Sequence, residues 1–324
     1  MLEFLSDYGL FLAELLTLAA IIVVVGLIVV ASAKRGVAQE GLTVEHLNRR
    51  YEAMGDTVRR AVEGSARYKS AAKQRRKELK KIAKKGSDRK RIFVVDFKGD
   101  IRASATISLR EEVSAIVSAA QAEDQVLVRL ENPGGAVHEH GFAASQLLRL
   151  KQHGLRLVVA VDKVAASGGY LMACVADEII AAPFAVVGSI GVIAQLPNFH
   201  RLLEAKGVDF EQVMAGRYKR TLTVFGENTE EGREKLKEEL EEVHRLFKHQ
   251  IAEHRPQVDL EQVATGEHWY GLKARELELI DRVSTSDDFL LEASKDHDIY
   301  GVTFKRRRPW PERVMAGAES LLSR

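Results

Sequence analysis

The sequence predicts an α/β body behind an N-terminal transmembrane helix and a basic helical linker. Three observations predict it: an uncharged apolar run at residues 15–33, a block dense in Lys and Arg after it, and short Val/Ile-rich runs alternating with amphipathic stretches from residue 91 onward. With 324 residues, 46% of them hydrophobic, the chain can bury a large core, which excludes a disordered protein. The single cysteine, Cys174, excludes an intrachain disulfide and a zinc ribbon, and it reads as core packing. No metal site and no cofactor motif is expected.

The anchor comes first, in a segment assigned to residues 1–33. Its 19 uncharged residues, 15–33, span about 28 Å as a helix, close to the hydrocarbon thickness of a bilayer. Ala31, Ser32 and Ala33 imitate a signal-peptide cleavage site, but Glu3, Asp7 and Glu14 precede the run and no Lys or Arg does. A signal peptide needs a positive start, so the anchor is read as retained. The linker, 34–90, follows. Residues 34–91 hold 19 Lys and Arg against seven Asp and Glu, a local net of +12 in a chain of formal charge +2, so the remainder is acidic. A helix within 44–85 is expected, either solvated or held by anionic lipid headgroups. Only Tyr51 and Tyr68 are available to interleave with bases, so no nucleic-acid partner is expected. The positive-inside rule places the body in the cytoplasm.

The body is assigned to residues 91–290. Runs 92–97, 125–130 and 155–161 read as buried strands. Runs 108–122 and 137–153 read as helices, the first capped by Ser108 with Glu111 three residues on. Strand and helix in alternation argue mostly parallel pairing. Run 179–199 also lacks formal charge, but Pro183, Gly188, Gly191 and Pro197 cut it. It is therefore read as buried strands and loops, not as a second span. A strand at 210–214, a long charged helix at 229–254 and a shorter helix at 269–280 follow, and 291–324 is assigned to a solvated basic tail.

In parallel α/β folds ligands bind where loops leave the carboxyl ends of strands. Two such loops are glycine-rich: Asn132-Pro133-Gly134-Gly135, and Ala165-Ala166-Ser167-Gly168-Gly169. Ser167 stands near the start of a helix at 170–175, where the dipole and free N–H groups favour an oxyanion. It serves either as a cap or as a nucleophile, and the small residues around it leave room for a substrate carbonyl. A serine nucleophile needs a base. His244, His249 and His254 fall on the charged helix. His138 and His140 follow the first loop, with no partnering Asp evident from spacing. Lysine is the alternative, and chemistry alone does not separate Lys219 from Arg217 beside it.

Four ordered segments resemble the signal peptide peptidase A family of serine peptidases: the Asn-Pro-Gly-Gly loop, Val164 to Tyr170, Val187-Gly188-Ser189-Ile190-Gly191, and Gly216-Arg217-Tyr218-Lys219. Gly226-Glu227-Asn228-Thr229, the segment from Gly266 to Gly271, the anchor and the linker fit as well. The resemblance implies a ClpP/crotonase-like fold and a serine endopeptidase with a Ser/Lys dyad. Ser167 would be nucleophile, Lys219 general base and then acid, and Ser189 the group that orients the lysine. Gly134 and Gly168 would supply the oxyanion-hole N–H groups. One departure is Glu278 before Leu279-Ile280-Asp281, where the family often has glycine.

Further implications are a homo-oligomer with clefts between subunits, and a bacterial inner-membrane location with the body outside the cytoplasm, against the charge rule. Extended apolar peptides are the implied substrates, such as signal-peptide remnants or misfolded envelope proteins. A catalytically weak membrane scaffold on the same fold is the competing reading, and an acyl-CoA hydratase or isomerase a third.

Overall fold

The computed structural model describes residues 9, 11–20, 41–63, 77 and 89–306. They fall into two compact units, residues 44–303 and a smaller one drawn from 1–43 with 304–324. Residues 11–20 are helical, and among the described residues no helix is long and apolar enough to cross a membrane. Positions 21–33 of the expected anchor lie outside the described residues, as do 34–40, 64–76 and 78–88 of the linker and 307–324 of the basic tail.

Among the described residues one sheet has the order β1-β10-β2-β3-β4-β6-β9. Its strands are β1 (Gly41–His46), β2 (Arg91–Lys98), β3 (Gln125–Glu131), β4 (Arg156–Val161), β6 (Glu178–Ala181), β9 (Arg282–Val283) and β10 (Asp298–Lys305). From β10 through β2, β3, β4 and β6 to β9 every pairing is parallel. A smaller sheet joins β5 (Val164–Ala166), β7 (Val186–Gly188) and β8 (His268–Tyr270). Its β5 and β7 run parallel, and β8 runs antiparallel to β7.

Period-2 geometry sends alternate side chains of β2 into two cores. Phe93, Val95 and Phe97 join the core with α2 (Thr106–Ala119), α3 (Val137–Gln152) and α4 (Gly168–Ala173). Ile92 and Val94 join a second core with Leu47 of α1 (Leu47–Glu63) and Leu290 of α9 (Ser286–Ala293). Burial on both faces is why these strands read as continuous apolar runs. Between the sheets' strands come α5 (His200–Ala205), the long α6 (Glu230–His254), α7 (Leu260–Val263) and α8 (Gly271–Glu276).

Several boundaries differ from the sequence reading. The helix expected at 108–122 is α2, whose cap position is Ala105 with no side-chain cap bond. Ser108 is already inside it, its N–H donating to Ala105 O at 3.0 Å. The nucleophile-loop helix starts at Gly168, two residues earlier than expected. Run 210–214 forms no strand, and Val213 is 98% exposed; among the described residues no strand pairs with it. Trp269 pairs with Val187 across β7 and β8, so the helix expected at 269–280 is confined to Gly271–Glu276.

The linker and tail also give up residues to the body. Leu47 and Asn48 of α1 are buried, and Asn48 donates to Ser294 O and His297 O while its Oδ1 accepts Ile299 N–H at 2.7 Å. β10, inside the expected tail, lies in the sheet between β1 and β2, with Ile299 and Val302 buried. The run 179–199 breaks into β6, β7 and loops, as its prolines and glycines predict.

Candidate active site

Parallel pairing of β5 with β7 puts Ala166 opposite Gly188, so Ser167 and Ser189 leave the sheet side by side. Both have left-handed backbones, φ 51° at Ser167 and φ 52° at Ser189. A non-glycine residue there costs on the order of 1–3 kcal/mol and persists only where its surroundings enforce it. At Ser167 the enforcement is visible: its N–H donates to Gly188 O at 2.8 Å, and its carbonyl accepts Leu171 N–H at 3.0 Å. The hydroxyl makes no cap bond, so the helix start does not consume it. Ser189 N–H donates to Glu267 O at 2.7 Å, and its hydroxyl lies 3.4 Å from Gly266 O.

The first glycine-rich loop meets the same point. A Cβ at Gly134 would lie 2.8 Å from both Ala166 O and Ser167 Cβ, at a φ of +94°. The Gly134 N–H, however, donates to Asn132 Oδ1 at 2.9 Å. It is therefore engaged, whereas Gly135 lines a cavity shared with Ser167 and Gly168. Gly168 opens α4, so its N–H has no partner within the helix.

That cavity, about 260 Å³, is mostly apolar. Val137 and Leu148 line it from α3, Leu171 from α4, and Val243, Phe247 and Gln250 from α6. The α6 residues are a contribution that sequence reasoning missed. The signal was present, since Val243, Leu246, Phe247 and Ile251 recur at helical spacing on an otherwise charged helix.

The glycines after Ser167 make room for protein rather than substrate. A Cβ at Gly168 would lie 2.5 Å from Cγ of His140, and one at Gly169 would lie 2.1 Å from Asn132 O. His140 is fully buried, with Nδ1 2.9 Å from Ala136 O and Nε2 3.2 Å from Asn132 Oδ1. It touches the loop through Asn132 and Gly168, and no hydrogen bond joins it to Ser167. His138, by contrast, is exposed.

Lys219 is exposed, and no hydrogen bond joins its amine to Ser167 in this single chain. Its N–H donates to Gly216 O at 3.1 Å in a turn. Arg217 is committed elsewhere, to Glu231 at 2.7 Å and to the Tyr218 ring. Of the expected site, then, the fold gathers Ser167, Ser189, Gly134 and Gly168, and leaves Lys219 on the surface.

Behind Ser167, Cys174 is fully buried and donates to Leu171 O, and burial pushes its thiol up to about 12. It packs, as expected. Tyr170, also fully buried and with its pKa raised chiefly by desolvation, donates to Leu279 O at 2.8 Å. Buried Arg255 clamps Asp281 at 2.7 and 2.9 Å. Glu278 has φ 58°. Its N–H reaches Arg275 O, and Leu279 N–H reaches Ala274 O at 2.9 Å, the two bonds that end a helix through a left-handed residue.

Residues 3–147 match the family described as Peptidase family S49 N-terminal, and residues 149–300 match Peptidase family S49. A relative from Haemophilus influenzae, named "Probable protease SohB", is 50% identical over 319 residues, 94% of this chain and 90% of its own. The chain belongs to peptidase family S49. The likeness to relatives named SohB meets the expectation drawn from the four motifs, and membership makes the chain a peptidase. Among solved structures, a membrane protease specific for a stomatin homolog from Pyrococcus horikoshii is similar at a TM-score of 0.38 and 13% identity, covering 63% of this chain and 78% of that one. The ClpP protease catalytic domain from Plasmodium falciparum is similar at a TM-score of 0.39 and 10% identity, covering 60% and 85%.

Proposed function

We propose that this S49 peptidase is a membrane-bound serine endopeptidase in which Ser167 is the nucleophile and Lys219 the base, on a ClpP/crotonase-like fold. The observation that carries the proposal is the enforced left-handed backbone of Ser167, whose hydroxyl caps no helix and which lines an apolar cavity. Ser167 Oγ attacks the scissile carbonyl carbon while its proton passes to the neutral amine of Lys219. The resulting oxyanion is received by Gly168 N–H. Its second donor is Gly135 N–H in place of the expected Gly134, whose N–H is engaged by Asn132. The lysine, now an ammonium, protonates the leaving amine, and water repeats the sequence on the acyl-enzyme. Ser189, beside Ser167, orients the lysine.

An apolar cavity next to the nucleophile favours extended peptides with apolar side chains, of which signal-peptide remnants and misfolded envelope proteins are examples. The exposed position of Lys219 in one chain supports a homo-oligomer whose clefts lie between subunits. The uncharged run 15–33 supports insertion in the bacterial inner membrane.

The test uses the full chain in detergent or nanodiscs with an unstructured apolar fluorogenic peptide. Ser167→Ala and Lys219→Ala should each abolish cleavage, and mixed oligomers of the two variants should regain part of it. If either variant cleaves as fast as the parent, the dyad assignment is wrong. A parent that cleaves nothing would favour the scaffold.

A further inference from the structure

The Asn-Pro-Gly-Gly loop and the helix after Ser167 are joined by a buried polar bracket that the proposed chemistry does not use directly. Its first member is Asn132, fully buried one residue beyond β3. The backbone of Asn132 is stitched to the strand that ends at Ser167: its N–H donates to Val164 O at 2.8 Å, and its carbonyl accepts Ala166 N–H at 3.0 Å. Its side chain bridges three ways. Oδ1 accepts Gly134 N–H at 2.9 Å, the same oxygen lies 3.2 Å from His140 Nε2, and Nδ2 lies 3.2 Å from Met172 Sδ in α4.

The second member is His140, fully buried in the first turns of α3. Its ring rests against Gly168 so closely that an added Cβ there would meet Cγ at 2.5 Å and Cδ2 at 2.7 Å. Its Nδ1 edge lies 2.9 Å from Ala136 O, an oxygen that also accepts the His140 N–H at 3.1 Å. One imidazole thus touches both loops that flank the nucleophile, by a polar contact on one side and by packing on the other.

We infer that His140 is a positioning residue that sets the separation of the two oxyanion-hole donors, Gly135 N–H and Gly168 N–H; since Ala136 O and Asn132 Oδ1 can each only accept, it is a hydrogen on Nε2 that makes the Asn132 contact a bond. Two hydrogens, from Gly134 N and His140 Nε2, then converge on one amide oxygen. They fix the Asn132 side chain, hold the Gly134 N–H turned inward, and leave the next N–H to the substrate. The ring meanwhile sets how closely Gly168 can approach. Because the oxygen to be stabilised exists only in the transition state, the effect falls on kcat and not on substrate binding. The inference rests on Ser167 as nucleophile, and the experiment keeps the two failures apart.

The first measurement needs no catalysis. The full chain carrying histidine labelled with nitrogen-15 in the ring is read by NMR, with the His140 signal assigned by its loss in His140→Gln. A hydrogen on Nε2 that exchanges slowly, in the parent and in Ser167→Ala alike, is the expected result; a bare Nε2 overturns the inference. The second is kinetic. His140→Leu, which keeps bulk and removes the donor, should lower kcat by about 10- to 100-fold, less than the 10²–10³ lost with a hole donor itself, at nearly unchanged KM. His140→Gln, whose amide nitrogen reaches Asn132, should restore kcat to within a few-fold of the parent. Equal losses in the Leu and Gln variants, or a loss confined to KM, overturn the inference. Activity surviving in Ser167→Ala instead refutes the nucleophile and leaves the Nε2 reading standing.

Discussion

Gly168→Ala places one methyl group where the structure has no space, and its consequences are calculable. The new Cβ would lie 2.5 Å from Cγ and 2.7 Å from Cδ2 of His140, and 2.8 Å from its Cβ. Ordinary contact between such atoms is about 3.5–4.0 Å, so ring and helix start must separate by about 1 Å. The ring cannot swing aside, being fully buried with Ala136 O and Asn132 Oδ1 against its two nitrogens. Overpacking of this kind costs about 1–3 kcal/mol, which for a body of this size lowers Tm by roughly 3–10 °C. A misplacement of about 1 Å next to the reacting atoms costs up to about 10²-fold in rate. Calorimetry and initial rates on the same preparation measure both. In a His140→Ala background the methyl still meets the remaining Cβ but no ring, so the same change should cost about 1 kcal/mol less. Unchanged Tm and kcat in Gly168→Ala would refute the packing of His140 on Gly168.

Gly141 lines the cavity from α3, and a Cβ there meets nothing within 4 Å. Gly141→Leu should therefore fill the cavity without strain, raising KM for peptides with a large apolar residue by about 10- to 100-fold, while Tm holds or rises because leucine is the better helix former. Titrating hydrolysis of paired large-residue and glycine peptides checks it, and equal KM changes for both would refute a side-chain pocket. Glu278 occupies a left-handed position at φ 58°, a strain of about 1–2 kcal/mol partly offset by the entropy of a glycine in its place. Glu278→Gly should gain on the order of 0.5–1 kcal/mol by chemical denaturation; a loss would contradict the strain.

Cys174 supplies a pH dependence. Burial pushes its thiol up to about 12, against about 8.5 in the unfolded chain. Between those values the native state keeps a proton that the unfolded state releases. Its contribution is intact below about pH 8.5 and falls by about 1.4 kcal/mol per pH unit above it. Cys174→Ala should flatten the alkaline slope of stability by that amount, and an identical slope in the variant would refute it.

Residue patterns alone were enough for the alternation of strands and helices, because burial on both sheet faces leaves runs such as Ile92 to Phe97 that need no tertiary knowledge to read. They also singled out Ser167, since a serine between small residues at a strand-to-helix junction is a local signal. Lys219 was legible only through resemblance, as the chain folds it onto an exposed turn where nothing marks it as a base. Strand limits were lost wherever pairing decided them. Residues 210–214 carry a strand's composition and find no partner among the described residues, while His268 to Tyr270 become a strand because Gly188 to Val186 lie alongside.

What the sequence by itself determined was local: periodicity, glycines, an apolar run, a serine at a junction. Only the tertiary structure decided why those glycines are there. Gly168 and Gly169 clear space for His140 and Asn132, residues 28 and 37 positions away along the chain. The Gly134 N–H is taken by an amide two residues before it. Close approach between distant segments leaves no periodic trace in either one, so it becomes visible only when both are seen together.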